Sequence, residues 1–104
     1  MDNVRWHKMD IFHQLGNIGS EIHRLRVWQD KGDNAALQVA FELVLNLIDS
    51  TAQDPKWLKG GRLKELLRLR ECLGDCVLST QRYGVTLKEL DEYCLAYALV
   101  ARRA

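Results

Sequence analysis

Cys72 and Cys76 stand four residues apart, a spacing that puts both thiols on one face of a helix. There they could hold a metal ion or pack as two small core residues, but no second cysteine pair and no adjacent His pair completes a zinc set. With Cys94 they read as core thiols. His7, His13 and His23 follow one another at spacings of six and ten, which do not share a helical face as a four-residue zinc pair does. His23, near Phe12 and Gly19, reads as an interior or interface histidine. Di-iron bundles use Glu-x-x-His, whereas Glu21 is followed by a histidine one residue too soon. No glycine-rich nucleotide loop, no nucleophile elbow and no Arg-x4-6-His nuclease spacing occurs. The residue types therefore point away from an enzyme and imply neither cofactor nor metal.

Charge is the stronger signal. The chain has 104 residues and a formal net charge of +1, yet Lys56, Lys59, Arg62, Lys64, Arg68 and Arg70 against Glu65 give positions 56–70 a balance of +5, leaving −4 elsewhere. Cations at a helix start oppose the helix dipole, so they do not serve to stabilise that helix. Phosphate would supply the compensation: free N–H groups at the helix start, close approach over Gly60 and Gly61, and Lys56, Lys59, Arg62, Lys64 and Arg68 as counter-charges. The plainer reading is a solvated face paired with acids on neighbouring helices. Arg70 falls between Leu63, Leu66 and Val77 on the helical wheel, and Arg26 falls near Leu15 and Ile22. Buried arginines must be paired, so both are expected in a buried ion pair, with Glu42, Asp49 or Glu21 as partner.

The elements that carry these residues follow from periodicity. Ile11, Leu15, Ile18, Ile22 and Leu25 form one stripe at alternating spacings of four and three. They predict a first helix over about residues 4–31, some 40 Å long at about 1.5 Å per residue, and hence an elongated molecule. Gly32 and Asp33 read as a stop and an N-cap. A second helix follows to about residue 52, folded back as a hairpin. Asp54-Pro55 ends it, and 56–61 is the longest irregular stretch. A third helix is expected over about 62–78. After a loop over 81–85, Thr86 and Glu89 have the spacing of a capping box for a fourth, ending near residue 102. Short links between successive helices favour an all-α, up-down-up-down antiparallel four-helix bundle, a single domain over 1–104.

Two helices have more apolar surface than such a bundle needs. On the second, Leu37, Phe41, Val44 and Ile48 make the core stripe, and Val39, Leu43, Leu45 and Leu47 widen it to roughly 240° where somewhat over 100° suffices. On the fourth, Leu87, Leu90, Cys94, Tyr97 and Ala101 point one way and Leu95 and Leu99 another. The surplus faces, Val39 and Leu43 with Leu95 and Leu99, are expected to be an interface of a homo-oligomer. The bland alternative is a scatter of exposed leucines. Gly16, Gly19 and Ser20, small residues within one helix interior, are expected to admit a neighbouring helix or a bulky aromatic side chain.

Composition bounds the rest: 47% hydrophobic and 28% charged residues, with one Pro and seven Gly, describe an ordinary globular domain and leave little punctuation for an all-β fold. An odd number of cysteines, no secretory h-region and no long apolar run predict a reduced, cytoplasmic protein that does not span a membrane.

With the helices placed, Gln14-Leu-Gly-Asn-Ile-Gly-Ser-Glu-Ile-His-Arg24 and Gly61-Arg-Leu-Lys-Glu-Leu-Leu-Arg-Leu-Arg-Glu71 resemble short prokaryotic four-helix-bundle proteins. The helix pattern over about 14–100 is similar to that of the accessory variability determinant of diversity-generating retroelements and of the intervening-sequence proteins of large ribosomal RNA. The resemblance implies a ring-like homo-oligomer binding reverse transcriptase, or another nucleoprotein partner, and RNA or DNA through basic surfaces. By position the matching cations are Lys59, Arg62, Lys64 and Arg68. The near-neutral net charge departs from that pattern, although a ring would multiply the basic segment.

Overall fold

The computed structural model describes residues 3–79 and 82–103, with the backbone alone at 97, 98 and 100–103. It is all-helical, 83% helix, with no strand among the described residues. The elements are α1 (Asn3–His7), α2 (Ile11–Lys31), α3 (Asn34–Ala52), a 3-10 turn (Pro55–Leu58), α4 (Arg62–Leu78) and α5 (Leu87–Arg103). Helix α2 is central and packs against α3 and α5, while α3 also packs against α4.

The expected first helix is two. Asp10 takes an extended conformation and caps α2, its carboxylate accepting from the His13 backbone N–H at 2.8 Å, while Lys8 and Met9 close α1 with bonds to the carbonyls of Arg5 and Trp6. The reason is phase. In one continuous helix at 100° per residue, Trp6 would lie more than about 90° from the Leu15–Ile22 stripe and point away from the core. The break turns it inward, where it is buried and its Nε1 donates to Thr51 Oγ1 at 2.8 Å. Shortening the helix also corrects the expected elongation: the longest extent is 35 Å and the radius of gyration 13.3 Å, that of a compact chain of this length.

The other boundaries follow local chemistry. Gly32 adopts a left-handed conformation, φ 70°, and Asp33 accepts from Ala36 N–H at 3.0 Å, so two residues suffice to fold α3 back on α2. The capping box at α5 is half formed. Glu89 N–H donates to Thr86 Oγ1, but the Glu89 carboxylate takes the Thr86 hydroxyl proton, not a backbone donor. Buried Asp75 accepts from the backbone N–H groups of Arg82 and Tyr83 at 2.7 and 3.2 Å, which ties the segment before α5 to α4.

Ile18, Ile22, Leu25, Val44, Ile48, Leu66, Leu73 and Cys94 form the centre of the core. Phe41 and Leu47 pack against it partly buried. The expectations for the side chains of Tyr97 and Ala101, and for Gln81, lie outside what the structure describes. By length and composition α3 could cross a membrane; here Leu37, Ala40, Val44 and Ile48 are buried within the protein's own core.

A polar cluster fixes the stretch before α4. Gln14 is fully buried, donates to Trp6 O and Asp54 Oδ2 at 3.1 and 3.0 Å, and accepts from Trp57 Nε1 at 2.7 Å. Positions 55–58 are thus an ordered turn anchored by Trp57 rather than an irregular loop. Burial disfavours the charged form of Asp54, yet hydrogen bonds from Lys56 and Gln14 outweigh that and hold its carboxyl below the ordinary 3.8. A group with a depressed folded pKa stabilises the fold above its unfolded value and loses that contribution as pH falls through the folded one. The gap in urea midpoint between the wild type and Asp54→Asn is therefore expected to be widest near neutral pH and to shrink as pH drops below 3.8; a gap that stays constant on acidification would contradict this.

Candidate nucleic-acid interface

The basic segment divides into cations that are spent and cations that are presented. Lys56 is spent: its Nζ donates to the carbonyls of His7 and Met9 at 2.8 Å each and to Asp54 Oδ2. It closes the cluster under α1, which corrects its expected role as a surface contact. Arg70 is spent as well, its Nε and Nη2 reaching Asp49 of α3 at 2.8 and 3.4 Å. That pair is half exposed, not buried, and Glu42 is exposed and joins no ion pair among the described residues. Arg26 pairs instead with Asp91 of α5 at 3.2 Å. Of the partners expected for the two arginines, Asp49 is the one found, on Arg70, while the buried pair with Glu42 gives way to two separate bridges, because each guanidinium reaches a carboxylate on the adjacent helix.

Lys59, Arg62, Lys64 and Arg68 remain. Gly60 and Gly61 take positive φ, 63° and 75°, and turn the chain into α4, which no side chain caps. Lys59 and Lys64 are exposed beside this start, and Arg62, half buried, donates from Nη1 to Lys56 O at 3.4 Å. Arg68 is exposed and lies 4.7 Å from the ring centroid of Tyr83, whose hydroxyl donates to Glu71 at 2.8 Å. The single acid of the segment, Glu65, is exposed among them.

Beside these cations a groove of about 860 Å³ runs between α4 and α5. Leu69, Cys72 and Leu90 are its buried lining and Leu67 and Tyr93 its exposed apolar lining, while its charged lining is balanced, Lys64 and Arg68 against Glu65 and Glu71. Sequence reasoning missed the groove, since its two walls, Leu63 to Cys72 and Leu90 to Tyr93, come from different helices far apart in the chain; the solvent-facing Leu67 beside Lys64 and Arg68 was the one available sign.

Elsewhere, Val39, Leu43, Leu95 and Leu99 are 61, 51, 50 and 43% exposed. His23 is exposed, not interior, and its Nδ1 lies 2.9 Å from Asp91 Oδ2, the carboxylate oxygen that Arg26 also reaches. Gly19 is buried against Cys94 of α5. Burial pushes the Cys94 thiol up to about 12, and burial, followed by the charges of Asp75, Cys72 and Glu89, pushes Cys76 up to about 11. No three metal-ligating side chains converge among the described residues. No family model, no curated protein and no solved structure matches the chain.

Proposed function

We propose that the chain is a non-enzymatic, homo-oligomeric accessory protein, an up-down-up-down four-helix bundle that binds nucleic acid or a nucleoprotein through the face carrying Lys59, Arg62, Lys64 and Arg68. The observation that carries this reading is that Lys59 and Arg62 flank a start of α4 that no side chain caps and that Lys64 and Arg68 follow within its first two turns, with Glu65 the one acid from position 59 to position 68. Uncapped N–H groups and ammonium and guanidinium groups suit phosphate. A reverse transcriptase with its RNA is the partner that the resemblance suggests.

Reversing three charges, Lys59→Glu, Arg62→Glu and Arg68→Glu, is expected to abolish retention of RNA or DNA on a filter at low salt. Partial variants should flatten the plot of log affinity against log salt by about 0.7 per lost contact on a single strand and about 0.9 on duplex DNA. Unchanged binding by the triple variant sinks the reading.

A second reading, a protein-interaction adaptor with a merely solvated basic face, is favoured by the exposed pairs Val39 with Leu43 and Leu95 with Leu99, each one helical turn apart. It predicts no salt-sensitive retention of nucleic acid. Both readings place apolar contacts on α3 and α5, so Leu43→Lys or Leu95→Lys lowering the mass found by light scattering supports an oligomer without choosing between them.

A further inference from the structure

We propose that His23 is a phosphoryl-acceptor site, taking a phosphoryl group on Nε2 from a phosphoramidate donor, which is the N–P chemistry of a phosphohistidine. None of the residues involved belongs to the basic segment. His23 Nδ1 lies 2.9 Å from Asp91 Oδ2, and Arg26 Nη1 reaches the same oxygen at 3.2 Å, so a carboxylate of α5 orients an imidazole of α2. A carboxylate oxygen only accepts. Nδ1 therefore carries the proton, and in the neutral ring Nε2 holds the free lone pair. The imidazole is 61% exposed while Asp91 is 15% exposed, which sets a presented nucleophile in front of a largely buried orienting group.

The step balances without a proton transfer. The Nε2 lone pair attacks phosphorus and forms the new N–P bond, while the donor's own P–N bond breaks and its protonated nitrogen leaves with the electron pair as a neutral amine or imidazole. The His23 ring keeps its proton on Nδ1 and becomes cationic. Asp91 lies against that proton and stabilises the new charge, and Arg26 holds the carboxylate in place. Positioning and counter-charge are what phosphoryl transfer asks of a protein. His23 lines a groove of about 640 Å³ between α2 and α5, in which Gly16, Gly19 and Ser20 add little bulk. Arg24, 66% exposed and also in this lining, supplies a guanidinium for the phosphoryl oxygens. Glu92, the other acid of the lining, opposes an anion and is expected to slow the reaction. The remaining histidines lack the combination. His7 is half buried and its Nε2 is engaged, 2.8 Å from the carbonyl of Ser50. His13 also rests Nδ1 on a carboxylate, at 2.9 Å, but that of Asp10 is 53% exposed to water and already accepts from the His13 backbone N–H.

The test treats the folded full chain with potassium phosphoramidate at neutral pH and follows the occupancy of each histidine over time by tandem mass spectrometry, with His13 as the internal reference. His23 is expected to label about tenfold faster than His13, the lower end of what an orienting partner contributes to a histidine. In concentrated urea the two should label at the same rate. Asp91→Asn, which keeps the size of the group and removes its charge, should slow His23 by about tenfold and leave His13 unchanged. Because Asp91 also holds Arg26, a urea midpoint monitors whether that variant loosens α5. Arg24→Gln leaves the bridge to α5 intact and should slow His23 by about threefold, what one exposed ion pair supplies. Equal labelling of His13 and His23 in the folded chain overturns the proposal, as does a preference for His23 that persists in urea. A His23 rate indifferent to both substitutions overturns it too and leaves the contact with Asp91 as a bridge between two helices.

Discussion

Replacing Gly19 with Ala is expected to destabilise the protein, although the same change in an exposed helix interior would stabilise it by about 1 kcal/mol. A Cβ at this position would lie 2.5 Å from Cβ of Cys94 and 3.5 Å from its carbonyl carbon. Neither atom is the end of a flexible side chain, so α2 and α5 must separate, and these helices share the most extensive packing in the fold. Overpacking of this kind costs about 1–3 kcal/mol, and separating two long helices places the change toward the upper end. The measurement is the urea midpoint at constant m. The clash has a specific remedy, since Cys94→Gly removes the opposing Cβ and should recover part of the loss in the Gly19→Ala background, whereas Cys94→Ala keeps that atom and should not. Recovery by both, or by neither, would mean that the close approach is not what limits Gly19.

Trp57→Ala should be more damaging still, by about 3–5 kcal/mol, the usual range for emptying a buried aromatic site. The indole is 2% exposed and its Nε1 donates to Gln14 Oε1 at 2.7 Å. Trp57→Phe separates the two contributions. It keeps most of the apolar volume but leaves a fully buried amide oxygen without its donor, an expected cost of about 1–3 kcal/mol. Because Pro55–Leu58 leads directly into Lys59 and the Gly60-Gly61 turn, Trp57→Ala should also weaken any binding by the basic face, while Trp57→Phe should weaken it little. Chemical denaturation gives the first quantity and oligonucleotide anisotropy the second. Equal losses of stability for the two variants would count against the hydrogen bond.

The four long helices were legible because amphipathic spacing reports directly on which residues meet the core: Leu15, Ile18, Ile22 and Leu25 predict α2, and Leu37, Val44 and Ile48 predict α3. Caps at Gly32 and Asp33 were legible for a similar reason, since their chemistry acts within one turn. The break before Asp10 was also written in the residues, in the phase of Trp6 against the Leu15 stripe, but a window that follows only aliphatic side chains passes over it. Lys56 and Trp57 were not legible. A single lysine and a single indole between helices have no period, and their partners, His7, Met9 and Gln14, lie more than 40 positions away. The partners of Arg70 and Arg26 show the same limit. A helical wheel indicates that a guanidinium lies near the core, but only the packing of α3 on α4 and α2 on α5 selects Asp49 and Asp91. The groove with Lys64 and Arg68 on α4 and Tyr93 on α5 is likewise a product of packing between segments.

The cluster around Gln14 joins three stretches of chain, with bonds from Trp6 to Thr51, from Trp57 to Gln14 and from Lys56 to His7 that span 45, 43 and 49 residues. Each such bond joins the same two regions of the chain, residues 6–14 and 51–57, so once one has formed the others close only short residual loops and add little further loop entropy. The cluster should therefore assemble and open nearly as a unit. Lys59, Gly60 and Gly61 follow it immediately, and the presentation of the cations at the start of α4 is thus tied to an all-or-none closure of the first 57 residues rather than to the helix that carries them.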